Sequence, residues 1–180
     1  MRASASLAAF LFAFLALFVL ACGDGGGSKE PTAEPSPPAD ANAIHEVDFA
    51  QVPAVQTLAR QVGGEPDTQA VLFADLTGDR RDEAIVPITS GGTLGNLGYV
   101  VLTMRSGAPA PILTATRDRS SPGGIQMSLV DGKLVKTAAR YGPDDPLCCP
   151  STLVKTTYRW DGSALQVERE EEVQQPSQKQ

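Results

Sequence analysis

Histidine is almost absent from this 180-residue chain, and its one copy, His45, borders a segment rich in proline and glycine. Ser-His-Asp and Cys-His catalytic groups are built around a histidine, and a zinc site needs several nitrogen or sulfur ligands. One histidine beside three cysteines provides neither set. The sequence therefore offers no catalytic residue and predicts a protein that is not an enzyme.

Basic residues are outnumbered as well, with 15 Lys and Arg against 21 Asp and Glu and a formal net charge of −6. No stretch of the sequence concentrates Lys or Arg, as contact with the phosphates of nucleic acid requires. The balance excludes nucleic acid as an expected partner. It also argues against direct adhesion to anionic lipid headgroups.

The longest uncharged stretch opens the chain. Arg2 precedes an apolar run over residues 3–21, a pattern typical of a secretory signal. The run ends in Val-Leu-Ala-Cys, closing at Cys22, and this resembles a bacterial lipobox. The resemblance implies that residues 1–21 are a lipoprotein signal peptide. Cys22 would then become a diacylglyceryl cysteine carrying fatty acids such as palmitate, a membrane anchor outside the cytoplasm. The alternative is an uncleaved membrane helix, because about 18 apolar residues can span a bilayer.

The composition divides the rest of the chain into three parts. Residues 22–43 are mostly Gly, Ser, Pro and Ala, so we expect a lipid-anchored disordered linker holding the domain on the order of 25 Å from the membrane. Residues 44–168 are long enough for a single domain with its own core. The polar and acidic residues 169–180 are predicted to be a disordered tail.

A helical pattern of apolar residues begins at Val52 and predicts one short N-terminal helix. Pro53 suits its first turn, and Gly63 is placed to end it. Asp48 and Gln51 have the spacing of a capping box at its start.

From residue 70 onward the pattern changes to short β runs separated by turn signals such as Asp131-Gly132 and Asp161-Gly162. The predicted strands are 71–74, 84–88, 99–104, 111–116, 125–130, 134–138, 153–160 and 164–168. Short connections predict an antiparallel meander, as either a curved sheet or a sandwich. The fold class is α+β and mainly β.

An acidic loop follows the first of these strands. Side-chain oxygens occupy its positions one, three, five and nine, on Asp75, Thr77, Asp79 and Glu83. Calcium prefers such ligands, and the loop is similar to the calcium loop of FG-GAP propeller repeats, which implies a structural calcium ion. Arg80 takes the usual glycine position, and the lack of a second copy excludes a propeller built from this repeat. The alternative is an Asx-type loop in which Arg80 or Arg81 neutralises the acids.

If Cys22 carries lipid, Cys148 and Cys149 have only each other as partners. Pro146 and Pro150 flank the pair and suit the distorted turn that a disulfide between neighbours requires. Three interpretations stay open: a vicinal disulfide, a buried reduced pair, and thiol redox or copper(I) chemistry. The Cys-x-x-Cys spacing of thiol oxidoreductases is absent.

The sequence Asp-Pro-Leu-Cys-Cys-Pro-Ser over residues 145–151 leads into a predicted strand that ends at Trp160. It is similar to the C-terminal signature of small bacterial lipoproteins of the LppP/LprE type, which combine a lipobox with a Cys-Cys-Pro-Ser/Thr segment. The likeness covers roughly residues 140–165. It implies an envelope location and a related fold, and it implies no reaction.

Two further features are candidates for a binding surface. The glycine-rich segment 90–98 lacks the Gly-Lys-Ser/Thr ending of a phosphate-binding P-loop, so we predict a hairpin loop that exposes Gly91, Gly92 and Thr93. Tyr158 and Trp160 share one strand face, where packing is the first explanation and a ligand-stacking platform the second.

These observations predict a lipid-anchored domain with a non-catalytic binding or structural role in the cell envelope. Its partner would be an envelope protein or a small ligand. The alternative function is thiol redox or metal handling by Cys148 and Cys149.

Overall fold

The computed structural model describes residues 43–175, which form a mainly β domain with one α-helix. Two short 3₁₀ helices precede the α-helix, and nine strands follow it. The 3₁₀ helices are Ala43–Glu46 and Phe49–Gln51, and α1 is Pro53–Val62. The strands are β1 Glu65–Pro66, β2 Leu72–Ala74, β3 Glu83–Thr89, β4 Asn96–Arg105, β5 Ala108–Thr116, β6 Ile125–Val130, β7 Lys133–Arg140, β8 Thr152–Trp160 and β9 Leu165–Gln174. Within residues 43–175 no helix is long and apolar enough to cross a membrane.

The strands divide into two antiparallel sheets. The first has the order β1-β3-β4-β5, with β2 also paired to β3, and the second has the order β6-β7-β8-β9. Both predicted turn signals, Asp131-Gly132 and Asp161-Gly162, join neighbouring strands of the second sheet. The predicted class, α+β and mainly β with an antiparallel meander, is therefore confirmed.

The first sheet lies between two apolar clusters, because β3 and β4 are buried on both faces. The helical residues pack on one face, in the cluster Ile44, Phe49, Val52, Val55, Leu58, Ala59, Ala84, Val86, Ile88, Val100 and Leu102. The second sheet packs on the other face, in the cluster Ile85, Tyr99, Val101, Ile112, Ala115, Ile125, Met127, Leu134, Tyr158 and Leu165. Fully burying one such side chain stabilises the fold by about 1.5–3 kcal/mol. Both clusters include side chains of β3 and β4, so this central sheet contributes to the whole core.

Helix α1 begins and ends where the sequence predicts, although its cap differs. Pro53 occupies the first turn, and Gly63 ends the helix with a left-handed φ of 72° that a residue with a side chain rarely adopts. The predicted capping role of Asp48 at this helix is wrong. Its carboxylate accepts the N–H of Ala50 and caps the preceding 3₁₀ helix, while Val52 is the N-cap residue of α1.

The predicted tail is wrong over its first half, since β9 continues to Gln174. The residues of β9 pair with β8 along the whole strand, and Lys155 lies opposite Glu171. Arg140, on β7, forms an ion pair with Glu172. Most side chains of β9 are exposed. An edge strand with solvent on both sides has no apolar alternation, so its sequence looks like that of a solvated segment.

The two sheets meet closely at Gly124, which precedes β6. A Cβ atom at this position would lie 2.3 Å from the carbonyl oxygen of Leu94 and 2.6 Å from that of Asn96. Both atoms belong to backbone, which cannot rotate away as a side chain can.

We expect Gly124→Ala to lower the free energy of unfolding by ~2 kcal/mol, because overpacking against fixed atoms forces the backbone to shift. Gly123→Ala is the matched control, since its Cβ would meet nothing closer than the Tyr141 hydroxyl at 3.6 Å. We expect it to change stability by less than about 1 kcal/mol. Urea unfolding of both variants checks the difference, and equal effects would contradict the tight contact.

Candidate functional site

The hairpin connectivity places the candidate loops at two opposite ends of the domain. Loops 90–95, 117–124 and 141–151 follow β3, β5 and β7, and antiparallel pairing brings them to one end, called here the three-loop end. Loop 117–124 contacts both neighbours there: Gly124 packs against Leu94 of loop 90–95, and the Ser121 hydroxyl lies 3.5 Å from the carbonyl oxygen of Ala139 near the end of β7. The acidic loop precedes β3 and lies at the other end.

Backbone hydrogen bonds to Asp75 close the acidic loop. Its carboxylate accepts the N–H of Gly78 at 2.6 Å and that of Arg80 at 2.9 Å. Asp79 accepts the N–H of Arg81 at 2.9 Å, and Arg80 has the left-handed φ of 68° expected at the glycine position of the pattern. This is the hydrogen bonding of an Asx-type loop.

Glu83 is the most constrained residue of the loop and is fully buried. One carboxylate oxygen accepts the N–H of Leu76 at 2.8 Å and of Thr77 at 3.2 Å, and the other accepts the Thr103 hydroxyl at 2.8 Å. Burial raises the pKa of Glu83, against the opposing effect of the bonds from Leu76 and Thr103.

The structure does not gather the predicted calcium ligands Asp75, Asp79 and Glu83 around one point, and the calcium ion stays a prediction. Each of the three carboxylates accepts protein N–H or O–H groups, and the Thr77 hydroxyl is buried without a hydrogen-bond partner. Across residues 43–175 no group of three or more His, Cys, Asp or Glu side chains is placed to hold a metal ion. The loop is therefore explained by its own hydrogen bonds.

His45 connects the start of the domain to the acidic-loop end through a hydrogen bond and a ring contact. Its Nε2 lies 2.9 Å from the Asp82 carboxylate, and its ring stacks on Phe73 with a centroid distance of 4.0 Å. No chemical role was predicted for His45. In the fold it fixes the place where the chain enters the domain.

Asp145 shapes the cysteine loop. Its carboxylate accepts the N–H groups of Gly142 and Ser151, each at 2.7 Å, and these bonds, that from Ser151 first, lower the pKa of Asp145. Cys148 and Cys149 are free thiols in the structure, and both are exposed. The interpretation as a buried reduced pair is therefore wrong, and the vicinal disulfide stays a prediction.

The glycine-rich segment forms a hairpin loop, as predicted. The N–H of Ser90 donates to the Gly95 carbonyl at 3.0 Å and closes the loop between β3 and β4. Gly91, Gly92 and Thr93 are exposed at the three-loop end. They are available for contact at this end of the domain.

The aromatic pair belongs to the core. Tyr158 is 5% exposed, and Trp160 packs partly against the same cluster. The Arg105 guanidinium carbon lies 5.9 Å from the Trp160 ring centroid. Packing is confirmed as the explanation, and a stacking platform that includes Tyr158 is wrong. Both residues lie near the end of β8 that is remote from the three-loop end.

The structure also assembles a basic groove that no local sequence pattern indicated. Arg60 at the end of α1 meets Arg117 and Arg119 from loop 117–124 in a groove of about 450 Å³. Arg60 is more than fifty positions distant in the sequence, so only the fold brings the three together. No stretch of the sequence concentrates Lys or Arg, yet the fold places these three side chains in one groove.

The chain is similar to a bacterial lipoprotein. It is 26% identical over 175 residues to lipoprotein CseA of Streptomyces avermitilis, in an alignment that covers 87% of this chain and 78% of that protein. No family model and no solved structure matches the chain.

Glu83 generates a prediction about the pH dependence of stability. The pKa of Glu83 is raised in the folded state, so the folded protein binds this proton more tightly than the unfolded chain does. Protonation of Glu83 therefore contributes to the free energy of unfolding at low pH. That contribution is lost as pH rises from the ordinary value of about 4.3 through the folded pKa. We expect the wild-type protein to lose stability relative to Glu83→Gln over this interval. Urea unfolding between pH 4 and pH 8 measures the difference.

The control is Glu83→Ala, which leaves the N–H groups of Leu76 and Thr77 without their acceptor. It should be less stable than wild type by about 2 kcal/mol or more at every pH. A gap between wild type and Glu83→Gln that stays constant with pH would contradict the raised pKa.

The exposed cysteine pair generates a second prediction. In an oxidising compartment we expect Cys148 and Cys149 to form a disulfide with each other. Intact mass spectrometry of the purified protein should show a gain of two hydrogens on reduction, and Cys149→Ser should abolish that gain. An unchanged mass in the native protein would exclude the disulfide.

Proposed function

We propose that this protein is a lipid-anchored domain of the bacterial cell envelope, extracytoplasmic and non-catalytic, that binds a ligand or partner through its three-loop end. The observation that carries the proposal is the opposition of the two ends. The chain enters at His45 beside the acidic loop, and the exposed loops lie at the other end of the strands.

The anchor is supported by two independent features. The lipobox-like sequence ends at Cys22, and the similarity to lipoprotein CseA extends over most of the chain. A diacylglyceryl group with an amide-linked chain holds a protein stably, whereas one chain holds it only marginally. Because the chain enters the domain at the opposite end, attachment through Cys22 would leave the three-loop end clear of the attachment point.

The side chains with chemical potential support binding more than catalysis. Glu83 and Asp145 stabilise loops through backbone N–H groups. A redox role for the cysteines would need a stabilised thiolate. Instead, the hydrogen bond with Cys148 is the main cause that raises the pKa of Cys149, which favours the unreactive thiol.

We expect Cys22→Ser to abolish the incorporation of labelled palmitate into the protein, because the Cys22 thiol is the proposed site of acylation. Metabolic labelling followed by immunoprecipitation measures this. Cys148→Ser is the matched control and should remain labelled. Absence of label in the wild-type protein, or equal labelling of the Cys22→Ser protein, would refute the lipid anchor at Cys22.

A further inference from the structure

Three arginines from two separate segments surround one groove at the three-loop end. Arg60 extends from the last turn of α1, and Arg117 and Arg119 follow β5. Val62 and Leu97 also line this groove. Its volume of about 450 Å³ lies within the range of small-ligand sites.

Hydrogen bonds to protein oxygens hold the guanidinium groups in place. Arg117 donates to the Ser121 carbonyl at 2.5 Å, Arg119 donates to the Gln61 carbonyl at 3.0 Å, and Arg60 donates to the Thr57 hydroxyl at 3.4 Å. Each guanidinium carries five N–H donors. The bonds within the domain use only some of them, so each group is positioned and retains donors for a ligand.

No acid lines the groove among the residues that the structure describes there. The nearest carboxylate in sequence, Asp118, accepts the N–H and hydroxyl of Ser120 at 2.8 and 2.7 Å and lines a neighbouring groove. Within residues 43–175, Arg60, Arg117 and Arg119 take part in none of the ion pairs found. The three guanidinium groups therefore share a groove without an acid in its lining, although Arg117 also interacts with the Asp118 carboxylate on the side of the neighbouring groove.

We propose that this groove binds a small anionic ligand that carries two or more phosphate or carboxylate groups. The inference rests on the proposed binding role of the three-loop end and names the ligand class for it. Arginine pairs with both anions through two parallel charge-assisted hydrogen bonds. Val62 and Leu97 add an apolar surface for the carbon part of the ligand.

The test is isothermal titration of the detergent-solubilised full-length protein with pyrophosphate and with citrate, at constant ionic strength. We expect saturable binding of at least one probe, and the comparison of the two separates phosphate from carboxylate recognition. Arg60→Gln should weaken binding roughly tenfold, since it removes a charge-assisted contact. It breaks only one long hydrogen bond in the domain, so its fold should be intact by circular dichroism.

Arg159→Gln is the matched control, because Arg159 is exposed on β8 outside the groove and the change in charge is the same. It should alter affinity by less than about twofold. An equal loss of affinity in both variants would show that binding depends on net charge alone and would overturn the site. Absence of saturable binding by either probe would overturn it too. If the wild-type protein incorporates labelled palmitate and Cys22→Ser does not, the anchored domain stands in that case and only the ligand class falls.

Discussion

The burial of β3 and β4 on both faces is the constraint on which the rest of the structure depends. Alternate side chains of these strands enter different clusters: Val100 packs toward the helix and Val101 toward the second sheet. A shift of one residue in their pairing would exchange the two faces. Although both strands are apolar at nearly every position, their two faces are not interchangeable. One cluster includes the helix and the other includes the second sheet.

This central sheet also determines where the ends of the domain lie. Helix α1 packs along it and ends near Gly64, whose Cβ would collide with the Thr89 carbonyl at the end of β3. Close packing of Leu58 against Gly98 fixes the helix beside the start of β4. Arg60 therefore reaches the loop after β5 only because the helix runs in this direction. The basic groove is a consequence of helix placement on a doubly buried sheet.

The strands were predictable because their β runs and turn signals are local, and β6 agrees with its predicted range at both ends. The division into two sheets could not be predicted, because the alternation of side chains along one strand does not show which strands it pairs with. The extension of β9 to Gln174 was missed because a charged edge strand contributes mainly backbone hydrogen bonds. Among the site residues, the loops were located by composition, whereas the groove depends on contacts between distant segments.

Charged side chains lie in opposite environments at the two ends of the domain, buried at one end and near solvent at the other. The buried carboxylate of Glu83 is surrounded by donors from Leu76, Thr77 and Thr103, because an unpaired charge in the core would cost several kcal/mol. The arginines of the groove are near solvent, where unpaired charge is inexpensive and its field is screened within about 10 Å. A ligand that excludes water from the groove would change that balance, because it would strengthen each contact with a guanidinium group. The buried carboxylate at the end where the chain enters the domain is thus satisfied by internal hydrogen bonds, whereas the guanidinium groups at the other end retain donors where a partner can approach.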